Sequence, residues 1–570
     1  MTTHPLRRLA AVALLAGALP AAAQQATRAT PARVARLSRP LPAWTRGATC
    51  YEVFVRSFQD SDGDGIGDLN GLTSRLDYIN DGDPRSTRGL GARCIWLMPI
   101  AQSPSYHGYD VSDYYTVEKD YGTNADFKRL MTEAHRRGIR VLVDMVLNHS
   151  SSEHPYFQAA VRDTTSPYRA WYRFASPKPD QKGPWGQEVW KKSPVRDEYY
   201  YAVFSPGMPD LNYATPAVHE EAKKIARFWV DSMGADGFRL DAVSFLVEEG
   251  KTLEHSPGTH AVLHEYGDYV RSLGPSTLTV AEVYAPIVNQ LPYYPDQIDT
   301  YFGFEQADSI ISRIRAGSAR GILAPVLRMQ AAGYADRWSP FLGNHDRPRT
   351  RTDIGRKGGA TPEASMARQK LAALVTLTLP GIPYVYYGEE LGMTGDKPDE
   401  RLRTPMQWTS GAGGGFTTGT PWERMADDSS GITVAAQDGD PRSLLNLTRT
   451  LIHLRDDNPG LGRGRLTPLT TSDSAVVAYV RRRNVDRQHD WAVIVVANLS
   501  DAPRSGVTLA AAARTLPPGR WVVRSLLDGT TASRITVGTD GRVSGYVPLP
   551  TLAPLQGYVF ELTTPGVDIR

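Results

Sequence analysis

The stretch NADFKRLMTEAHRRGIRVLVDMV (124–146) decides the fold, because it joins a helical pattern directly to a strand pattern. In its first part, apolar residues recur three or four positions apart and Gly138 follows them, as at the end of an amphipathic helix. Its second part, from Ile139 to Val146, is a short apolar run that indicates a strand buried on both faces. We interpret the stretch as one helix-to-strand unit of a parallel sheet.

The same alternation of apolar strands and amphipathic helices recurs along the chain, and a second clear helix is predicted over 219–234. Eight such units over roughly 400 residues predict a closed (β/α)₈ barrel, an α/β fold, rather than an open sheet. The predicted strands are 51–58, 94–100, 139–146, 235–242, 277–284, 300–305, 340–346 and 381–387.

Two departures from this alternation divide the chain. Between 147 and 215 no helix returns the chain after the third strand, and the segment is too long for an ordinary loop, so we predict a small inserted domain. After a helix at 449–460, alternating strands predict a C-terminal antiparallel β-sandwich over 465–570. The barrel then takes the two remaining parts, 46–146 and 216–464.

Composition and charge exclude several classes of protein. Of the 570 residues, 41% are hydrophobic and 22% are charged, which is ordinary for a soluble globular protein. The net charge of +3 gives no reason to expect a nucleic acid or an anionic membrane as partner. We expect neither of these partners, and a monomer is the favoured oligomeric state.

The N-terminus has the layout of a secretory signal peptide over residues 1–23. Arg7 and Arg8 precede an apolar run from 9 to 19, and small residues follow up to Ala23. The apolar run is too short to span a bilayer. Residues 24–45 have no periodicity and are interpreted as a linker. We therefore expect an exported protein, either periplasmic or extracellular.

The chain has two cysteines, Cys50 and Cys94. In an oxidising compartment they can form a single disulfide bridge, but two buried free thiols explain the sequence equally well. With one pair in 570 residues, the chain is not a disulfide scaffold.

Several predicted strands end in ionisable residues. In a parallel barrel the carboxyl ends of the strands converge on one face, where active sites form. A single acid at a strand end is more often a helix cap, but four coincident cases indicate a functional pocket. The residues concerned are Asp144 and His149, Arg239 and Asp241, Glu282, and His345 and Asp346.

Two carboxylates with separate roles are what cleavage of a glycosidic bond requires. Arg239 lies two residues before Asp241 on one strand, so both side chains point the same way and the guanidinium favours ionised Asp241. Glu282 has no cationic neighbour in sequence, so burial and nearby carboxylates should raise its pKa, as an acid catalyst needs. Asp346 is a candidate to stabilise the positive charge of the transition state.

Four motifs resemble the catalytic signature of the α-amylase family, glycoside hydrolase family 13, in order and spacing: DMVLNH (144–149), GFRLDAV (237–243), AEVY (281–284) and FLGNHD (341–346). The resemblance runs from about residue 46 to the C-terminus. It implies double displacement with retention, in which Asp241 is the nucleophile, Glu282 the acid/base and Asp346 the transition-state stabiliser. The substrate-contact residues expected from it are Tyr109, His107, His149, Arg239, His345, Asp110 and Arg403.

The segment DSDGDGIGD (60–68) predicts a second site, because its alternating aspartates supply the oxygen ligands that Ca²⁺ prefers. An EF-hand is excluded, because its last loop position is Gly71 here and a strand rather than a helix precedes the loop. In the family, a similar loop after the first barrel strand binds a structural Ca²⁺. The alternative is a solvated turn without a metal. The expected ligands are Asp60, Asp62, Asp64, the backbone carbonyl of Ile66, and Asp68.

The motifs do not all resemble the same branch of the family. SPSYHGYD (103–110) resembles endo-acting α-amylases, because Tyr106 stands where exo-acting glucosidases carry an acid. Ala242 resembles enzymes that act on α-1,4 bonds. In contrast, RTPMQW (403–408) resembles the glucosidase and trehalose synthase branch, and MPDLN (208–212) is intermediate between that branch and the neopullulanases.

The favoured function is a secreted, retaining endo-α-amylase that acts on α-1,4-glucans and maltooligosaccharides. One alternative is an exo-α-glucosidase or a glucosyl-transferring relative, and another is a non-catalytic glucan-binding protein on the same barrel. The aromatic residues of the inserted domain, Trp185 among them, have two explanations that do not exclude each other. They can form a small irregular core, or a wall of rings on which sugar faces stack.

Overall fold

The computed structural model describes residues 39–356, 360–426, 431–486, 489–529 and 531–563. The predicted signal peptide (1–23) and most of the predicted linker (24–45) lie outside these residues. The described end of that linker lies against the barrel, where the Arg39 guanidinium donates to the carbonyls of Arg271 and Gly274, each at 2.8 Å.

The main sheet has eight parallel strands, which confirms the predicted (β/α)₈ barrel. The strands are β1 (Cys50–Val53), β2 (Cys94–Leu97), β3 (Arg140–Met145), β4 (Gly237–Leu240), β5 (Leu278–Ala281), β6 (Thr300–Phe302), β7 (Trp338–Ser339) and β8 (Tyr384–Tyr386). Their order is β7-β6-β5-β4-β3-β2-β1-β8. The Ile382 and Tyr384 N–H groups donate to the carbonyls of Trp338 (2.8 Å) and Pro340 (2.9 Å), which joins β8 to β7 and closes the ring.

The seventh strand lies earlier in the chain than predicted. The sequence predicted it over 340–346, but β7 ends at Ser339. Pro340 has no N–H to donate to a sheet, and the chain turns away after it. Phe341 and Leu342 are buried at the mouth of the barrel, which explains why their composition resembles that of a strand.

The helices surround the barrel, and the two predicted from periodicity are present. The first, Asn124–Arg136, begins with a capping box between Thr123 and Asp126, and the second, Pro216–Arg227, continues as a π-helical turn, Phe228–Ser232. The other α-helices are Leu69–Ser74, Leu76–Ile79, Pro155–Arg162, Pro257–Leu273, Ile287–Gln290, Phe304–Ala316, Ala324–Ala332, Thr350–Gly355, Pro362–Thr378, Asp399–Leu402, Val434–Asp438, Leu444–Asp457 and Pro459–Arg463. Short 3-10 helices span Ala43–Thr45, Val55–Ser57, Lys119–Tyr121, Arg169–Trp171, Val243–Phe245, Leu291–Tyr293, Ala335–Arg337, Glu389–Leu391 and Ala412–Gly415.

The segment after β3 forms a small unit over the carboxyl ends of the strands. It contains a helix that the sequence argument did not predict, and an antiparallel sheet of three short strands. Part of its aromatic content forms a core, since the Phe157 ring lies 5.0 Å from those of both Tyr172 and Tyr200. The helix is Pro155–Arg162 and the strands are Phe174–Ala175, Trp190–Lys192 and Tyr199–Tyr201. A separate two-stranded hairpin pairs Ala101–Gln102 with Asp113–Val117.

The C-terminal part is antiparallel, as predicted. Its main sheet has six strands, in the order Arg465–Pro468, Val476–Asn484, Asp490–Asn498, Gly557–Thr563, Gly519–Ser525 and Thr531–Val537. The smaller sheets are Thr470–Thr471 with Leu509–Ala511 and Val543–Tyr546, and Arg504–Ser505 with Thr551–Leu552. Their inward-facing aliphatic residues form a core of their own.

The two cysteines form a disulfide, which decides between the two explanations left open by the sequence. Cys50 and Cys94 are opposite each other at the starts of β1 and β2, and both are fully buried. They are 44 positions apart in sequence. Closing a loop of this length stabilises the folded state by about 2–4 kcal/mol.

The helices are formed by segments of mixed polarity. Within the part of the chain that the structure describes, none of them combines the length and the apolar character needed to cross a bilayer.

Candidate active site

Side chains from three neighbouring strands meet at the carboxyl end of the barrel. The Arg239 guanidinium on β4 is buried, and its Nη1 atom donates to Asp241 Oδ1 at 2.7 Å and to the two Asp144 oxygens at 3.0 and 3.1 Å. Its Nη2 atom donates to Glu282 Oε2. One guanidinium thus contacts three carboxylates, carried by or directly following β3, β4 and β5, and the predicted convergence of strand ends is observed.

The protonation of Glu282 depends on opposing effects. Burial raises its pKa, the Arg239 guanidinium lowers it, and the carboxylates of Asp241 and Asp346 raise it again. The net result is a pKa of about 7, so burial and like charges together outweigh the contact with Arg239. The sequence predicted that the pKa of Glu282 would be raised. It missed Arg239, which is distant from Glu282 in sequence but adjacent in space because β4 and β5 pair.

Asp144 lies beneath the two candidate catalytic acids. Besides Arg239, it accepts hydrogen bonds from the Trp96 indole at 3.1 Å and the Tyr109 hydroxyl at 3.2 Å. Burial raises its pKa to about 6. Because its oxygens are occupied by protein donors and its side chain is fully buried, Asp144 orients Arg239 and Tyr109 rather than touching a substrate.

The backbone just after Asp241 is strained. Ala242 has φ = 44° and ψ = 36°, a left-handed conformation that is uncommon for residues other than glycine. Non-glycine residues in this region cost of order 1–3 kcal/mol and persist where the surrounding structure imposes them, often at active sites. The turn carries the chain from β4 into the short helix Val243–Phe245.

His345 and Asp346 lie in the loop after β7. The His345 ring is buried, with Nδ1 2.7 Å from Glu52 Oε1 and Nε2 3.0 Å from Asp346 Oδ2. The same Nε2 atom lies 2.7 Å from the Tyr109 hydroxyl. Burial disfavours charged His345, but the carboxylates of Asp346 and Glu52 outweigh it and raise its pKa to about 9. His345 is therefore an imidazolium at neutral pH.

Asp346 is held ionised by two cations. Its burial opposes the charged form, but His345 and the Arg403 guanidinium lower its pKa below the ordinary value. Arg403 Nη2 donates to Asp346 Oδ1 at 2.9 Å. The Asp346 side chain is nevertheless 45% exposed, so an ionised oxygen remains available to a ligand in the cleft.

One side of the pocket is formed by a connected group of side chains. Arg403 is buried, and its Nη1 atom donates to the Tyr106 hydroxyl at 3.2 Å, while Nη2 lies 3.4 Å from Asp399. The Tyr106 ring stacks on Trp422 with centroids 5.3 Å apart. These contacts form a connected wall next to Asp346.

The remaining predicted contact residues differ in their placement. His149 is buried, with Nε2 3.1 Å from the Tyr109 carbonyl, and burial lowers its pKa. His107 lies beside Tyr109, with ring centroids 6.1 Å apart, and its pKa is also lowered by burial. Asp110 accepts hydrogen bonds from the Ser103 and Ser105 hydroxyls. It therefore stabilises its own loop.

Three contributors to this pocket were not found from the sequence. Glu52 sits inside an apolar strand, YEVF, and this interruption was the one signal that could have revealed it. Asp399 and Trp422 lie in loops without a periodic pattern, so only the closed fold brings them next to Arg403 and Tyr106.

The aspartate-rich loop follows β1. Oxygen atoms of Asp60, Asp62 and Asp68 lie within 4.8 Å of one another. Asp64 is exposed and lies outside this group of three. Asp60 accepts hydrogen bonds from the backbone N–H groups of residues 62, 63 and 65, and Asp68 from those of 61 and 71. The donor set is all oxygen, as a hard divalent cation prefers.

This loop contacts the wall formed by Arg403, Tyr106 and Trp422. The Thr417 hydroxyl donates to Asp60, and the backbone N–H of Trp422 donates to the Gly65 carbonyl at 2.9 Å. Since Trp422 stacks on Tyr106, the loop that carries the three acids supports the wall behind Arg403.

Comparison with known proteins agrees with this geometry. A family model described as alpha amylase, catalytic domain, matches residues 52–464. "Alpha-amylase 3" of Dictyoglomus thermophilum is 38% identical over 443 residues, which cover 76% of this chain and 82% of that protein. "Trehalose synthase/amylase TreS" of Mycobacterium tuberculosis is 34% identical over 512 residues, covering 81% and 83%.

A solved structure gives the same result. The α-amylase from H. orenii superposes with a TM-score of 0.75 and 36% sequence identity, covering 90% of this chain and 99% of that one. The family model runs from within β1 past β8, and it includes the strand ends and loops that carry Asp241, Glu282 and Asp346. The chain therefore belongs to the α-amylase family, glycoside hydrolase family 13, and is a glycoside hydrolase of that family.

Proposed function

We propose that this enzyme hydrolyses α-1,4-glucosidic bonds by double displacement with retention of configuration. The observation that carries the proposal is the shared contact of Asp241 and Glu282 with the two terminal nitrogens of Arg239. This arrangement holds the two carboxylates close together, as retaining enzymes need, because inverting enzymes separate them further to admit a water.

Each residue then has a defined step. Asp241 attacks the anomeric carbon while protonated Glu282 gives its proton to the departing glycosidic oxygen. Ionised Glu282 next takes a proton from water, whose oxygen attacks the anomeric carbon and releases Asp241. Asp346 stabilises the positive charge on the sugar ring, and Tyr109 and His345 lie beside it for contact with the sugar hydroxyls.

We propose endo cleavage as the mode of action. Arg403 is paired with the hydroxyl of Tyr106, at the position where exo-acting relatives are expected to use a carboxylate to bind the end of a chain. The identity to the α-amylases of D. thermophilum and H. orenii supports this proposal.

An exo-acting or glucosyl-transferring enzyme is the second candidate. It is favoured by Asp399, which lies 3.4 Å from Arg403 and so offers a second acid at the position where exo-acting relatives are expected to bind the chain end. The identity to a trehalose synthase/amylase supports this candidate as well.

Amylose with chemically blocked chain ends separates the two candidates. We expect the wild-type enzyme to release blocked maltooligosaccharides, because endo cleavage needs no free end, and chromatography of the products measures this. Tyr106→Glu restores an acid beside Arg403 and should lower the rate on blocked amylose relative to that on maltose. If the blocked polymer stays intact while maltose is split, the enzyme is exo-acting or a transferase.

The alkaline side of the pH profile should report Glu282. Because the acid catalyst must be protonated and its pKa is about 7, kcat/KM on maltooligosaccharides should fall about tenfold per unit above pH 7. Glu282→Gln should lower steady-state hydrolysis by about 10²–10⁴-fold. On α-maltosyl fluoride, whose leaving group needs no proton, this variant should still give a burst of fluoride.

Circular dichroism over the same pH range serves as the control, since it excludes unfolding as the cause of the loss. Undiminished steady-state hydrolysis of starch by Glu282→Gln would refute the acid/base assignment.

We propose that the loop carrying Asp60, Asp62 and Asp68 binds a structural Ca²⁺. The three carboxylates, with the backbone carbonyl of Ile66 and water, are the hard oxygen ligands that this cation prefers. Asp64 is a less suitable ligand than its place in the sequence suggested, because it lies outside the group. The cation would supply charge neutralisation for the clustered acids, remote from the reacting bond.

Chelation should therefore lower thermal stability more than it alters catalysis. A ligand present at about 100 times its Kd stabilises the folded state by about 2.7 kcal/mol, and EDTA should remove a stabilisation of that order. Differential scanning calorimetry with and without added Ca²⁺ measures it. Asp62→Asn should remove most of the Ca²⁺ response, whereas Asp83→Asn, an exposed acid in another loop, should retain it. An unchanged Tm on chelation would contradict the site.

We propose that the enzyme is exported through the predicted signal peptide. The Cys50–Cys94 disulfide supports this, because disulfides form and persist in oxidising compartments. Fractionation of the producing cells should place the protein in the periplasm or medium, with an N-terminus near Gln24. Recovery of the full-length chain from the cytoplasm alone would refute export.

A further inference from the structure

One buried acid beyond the catalytic cluster has no role in the proposed reaction. Glu389 follows β8 in the short helix Glu389–Leu391, and it is 9% exposed. A buried carboxyl group destabilises a protein unless hydrogen bonds compensate for its lost hydration. The residues that bind Glu389 therefore indicate what it contributes, and the first of them belongs to the loop that carries His345 and Asp346.

Both ends of this loop meet at the carboxyl group of Glu389. We call residues 343–350 the Asp346 loop. At its second end, the Thr350 hydroxyl donates to Glu389 Oε1. At its first end, a Cβ atom on Gly343 would lie 3.1 Å from Thr350 Oγ1 and 3.7 Å from Glu389 Oε1. The two ends are thus closed against one carboxyl group, with Asp346 between them.

The turn that carries Glu389 is held by elements of the barrel. Gly388 and Gly392 flank the turn in left-handed conformations, with φ of 78° and 79°. The Gln369 amide donates to the Glu389 carbonyl at 2.7 Å, and Glu389 Oε2 lies 3.4 Å from the N–H of Tyr386 on β8. Glu389 is therefore a fixed point to which the loop is fastened.

Arg349 fastens the second end of the loop in a different way. Its guanidinium lies over the rings of Tyr386 and Tyr387, 4.7 and 4.9 Å from their centroids, and donates to the Tyr387 carbonyl at 2.7 Å. Burial raises the pKa of Glu389 to about 7, against its hydrogen bonds and the charge of Arg349. Near neutral pH the carboxyl group is therefore only partly ionised, and it serves the loop as a hydrogen-bond acceptor rather than as a charge.

We propose that Glu389 is a positioning residue for glycoside hydrolysis. By binding Thr350 it closes the base of the Asp346 loop, and the closed loop holds the Asp346 carboxylate where positive charge develops on the sugar ring. Glu389 itself touches no reacting atom. This inference rests on the proposed hydrolysis of α-glucans. Because the charge appears only in the transition state, a displaced Asp346 should affect kcat far more than the binding of substrate.

Variants of the hydrogen bond between Thr350 and Glu389 test the proposal. Glu389→Met removes the acceptor and Thr350→Val removes the donor, at nearly unchanged side-chain volume. Since a misplacement of about 1 Å can cost about 10²-fold in rate, each should lower kcat on maltoheptaose about 10- to 100-fold, with KM changed less than about threefold. Glu389→Gln offers an amide oxygen to Thr350 and should keep most of the wild-type kcat. Glu389→Met combined with Thr350→Val should be no slower than the slower single variant, because both changes remove the same contact.

A binding measurement reports the position of Asp346 without turnover. An iminosugar analogue of maltose, whose reacting ring carries a protonated nitrogen, imitates the charge of the transition state, whereas maltose is neutral. By isothermal titration calorimetry, Glu389→Met and Thr350→Val should weaken binding of the iminosugar about tenfold and leave the affinity for maltose unchanged. Glu389→Gln should restore the affinity for the iminosugar.

Glu390→Gln is the matched control. Glu390 is the next residue in the same turn and is 1% exposed, but its carboxyl group accepts from the hydroxyls of Tyr51 and Tyr78, at 2.7 Å each, and these residues lie outside the Asp346 loop. Loss of its charge should lower Tm without changing kcat or the affinity for the iminosugar.

Failure of the positioning role is distinguishable from failure of the proposed function. If Glu389→Met and Thr350→Val fold and keep the wild-type kcat and iminosugar affinity, the positioning role is refuted while the hydrolase function stands. An equal loss of affinity for maltose and for the iminosugar would also refute it, because that pattern indicates general damage to the pocket. Should Glu389→Met fail to fold, Thr350→Val and Glu389→Gln decide the matter. If the wild type cleaves neither maltoheptaose nor starch, the proposed function itself fails.

Discussion

The catalytic end of this barrel depends on one buried cation, the guanidinium of Arg239. It carries a single positive charge and contacts Asp144, Asp241 and Glu282, so the three acids exceed it in negative charge unless two of them hold a proton. Breaking a buried ion pair by removing one partner is strongly destabilising, because the remaining charge loses its compensation. Burial raises the pKa values of Asp144 and Glu282 to about 6 and about 7, so the cluster can keep a proton near neutral pH. The excess of negative charge around Arg239 thus underlies both the proposed acid catalysis by Glu282 and the stability of the pocket.

The two sides of the pocket carry different kinds of side chain, because different elements of the fold form them. Beyond Asp346, the wall consists of Arg403, Tyr106 and Trp422, and it is held from behind by the aspartate-rich loop through Thr417 and Gly65. On the other side, the inserted domain contributes the rings of Trp185 and Phe204, and an ion pair between Arg173 and Glu248 (2.6 Å) joins this domain to the segment after β4. The side chains next to Asp346 are therefore charged and held by hydrogen bonds, whereas those next to His149 are aromatic.

The sequence predicted the parts of the site that belong to regular strands. Asp241, Glu282 and the Arg239–Asp241 pairing follow from strand alternation and from the convergence of parallel strand ends, and their placement needed no knowledge of loops. The contact between Arg239 and Glu282 depends on which strands are neighbours. Glu52 and Asp399 reach the pocket only through closure of the barrel or loop folding, which sequence spacing does not encode. The seventh strand was misplaced because Phe341 and Leu342 are apolar for a different reason, namely burial at the mouth of the barrel.

Closure of the barrel explains both the site residues that the sequence predicted and those that it missed. Backbone hydrogen bonds to Trp338 and Pro340 join β8 to β7, and in this closed ring Glu52 on β1 lies 2.7 Å from His345 after β7. The resulting ion pair keeps His345 charged, and charged His345 in turn keeps Asp346 ionised beside the reacting sugar. The ionisation of Asp346, the proposed transition-state stabiliser, therefore depends on the closed ring of strands. For this reason a local motif can identify Asp346, but only the complete ring of strands can give it the charge that its role requires.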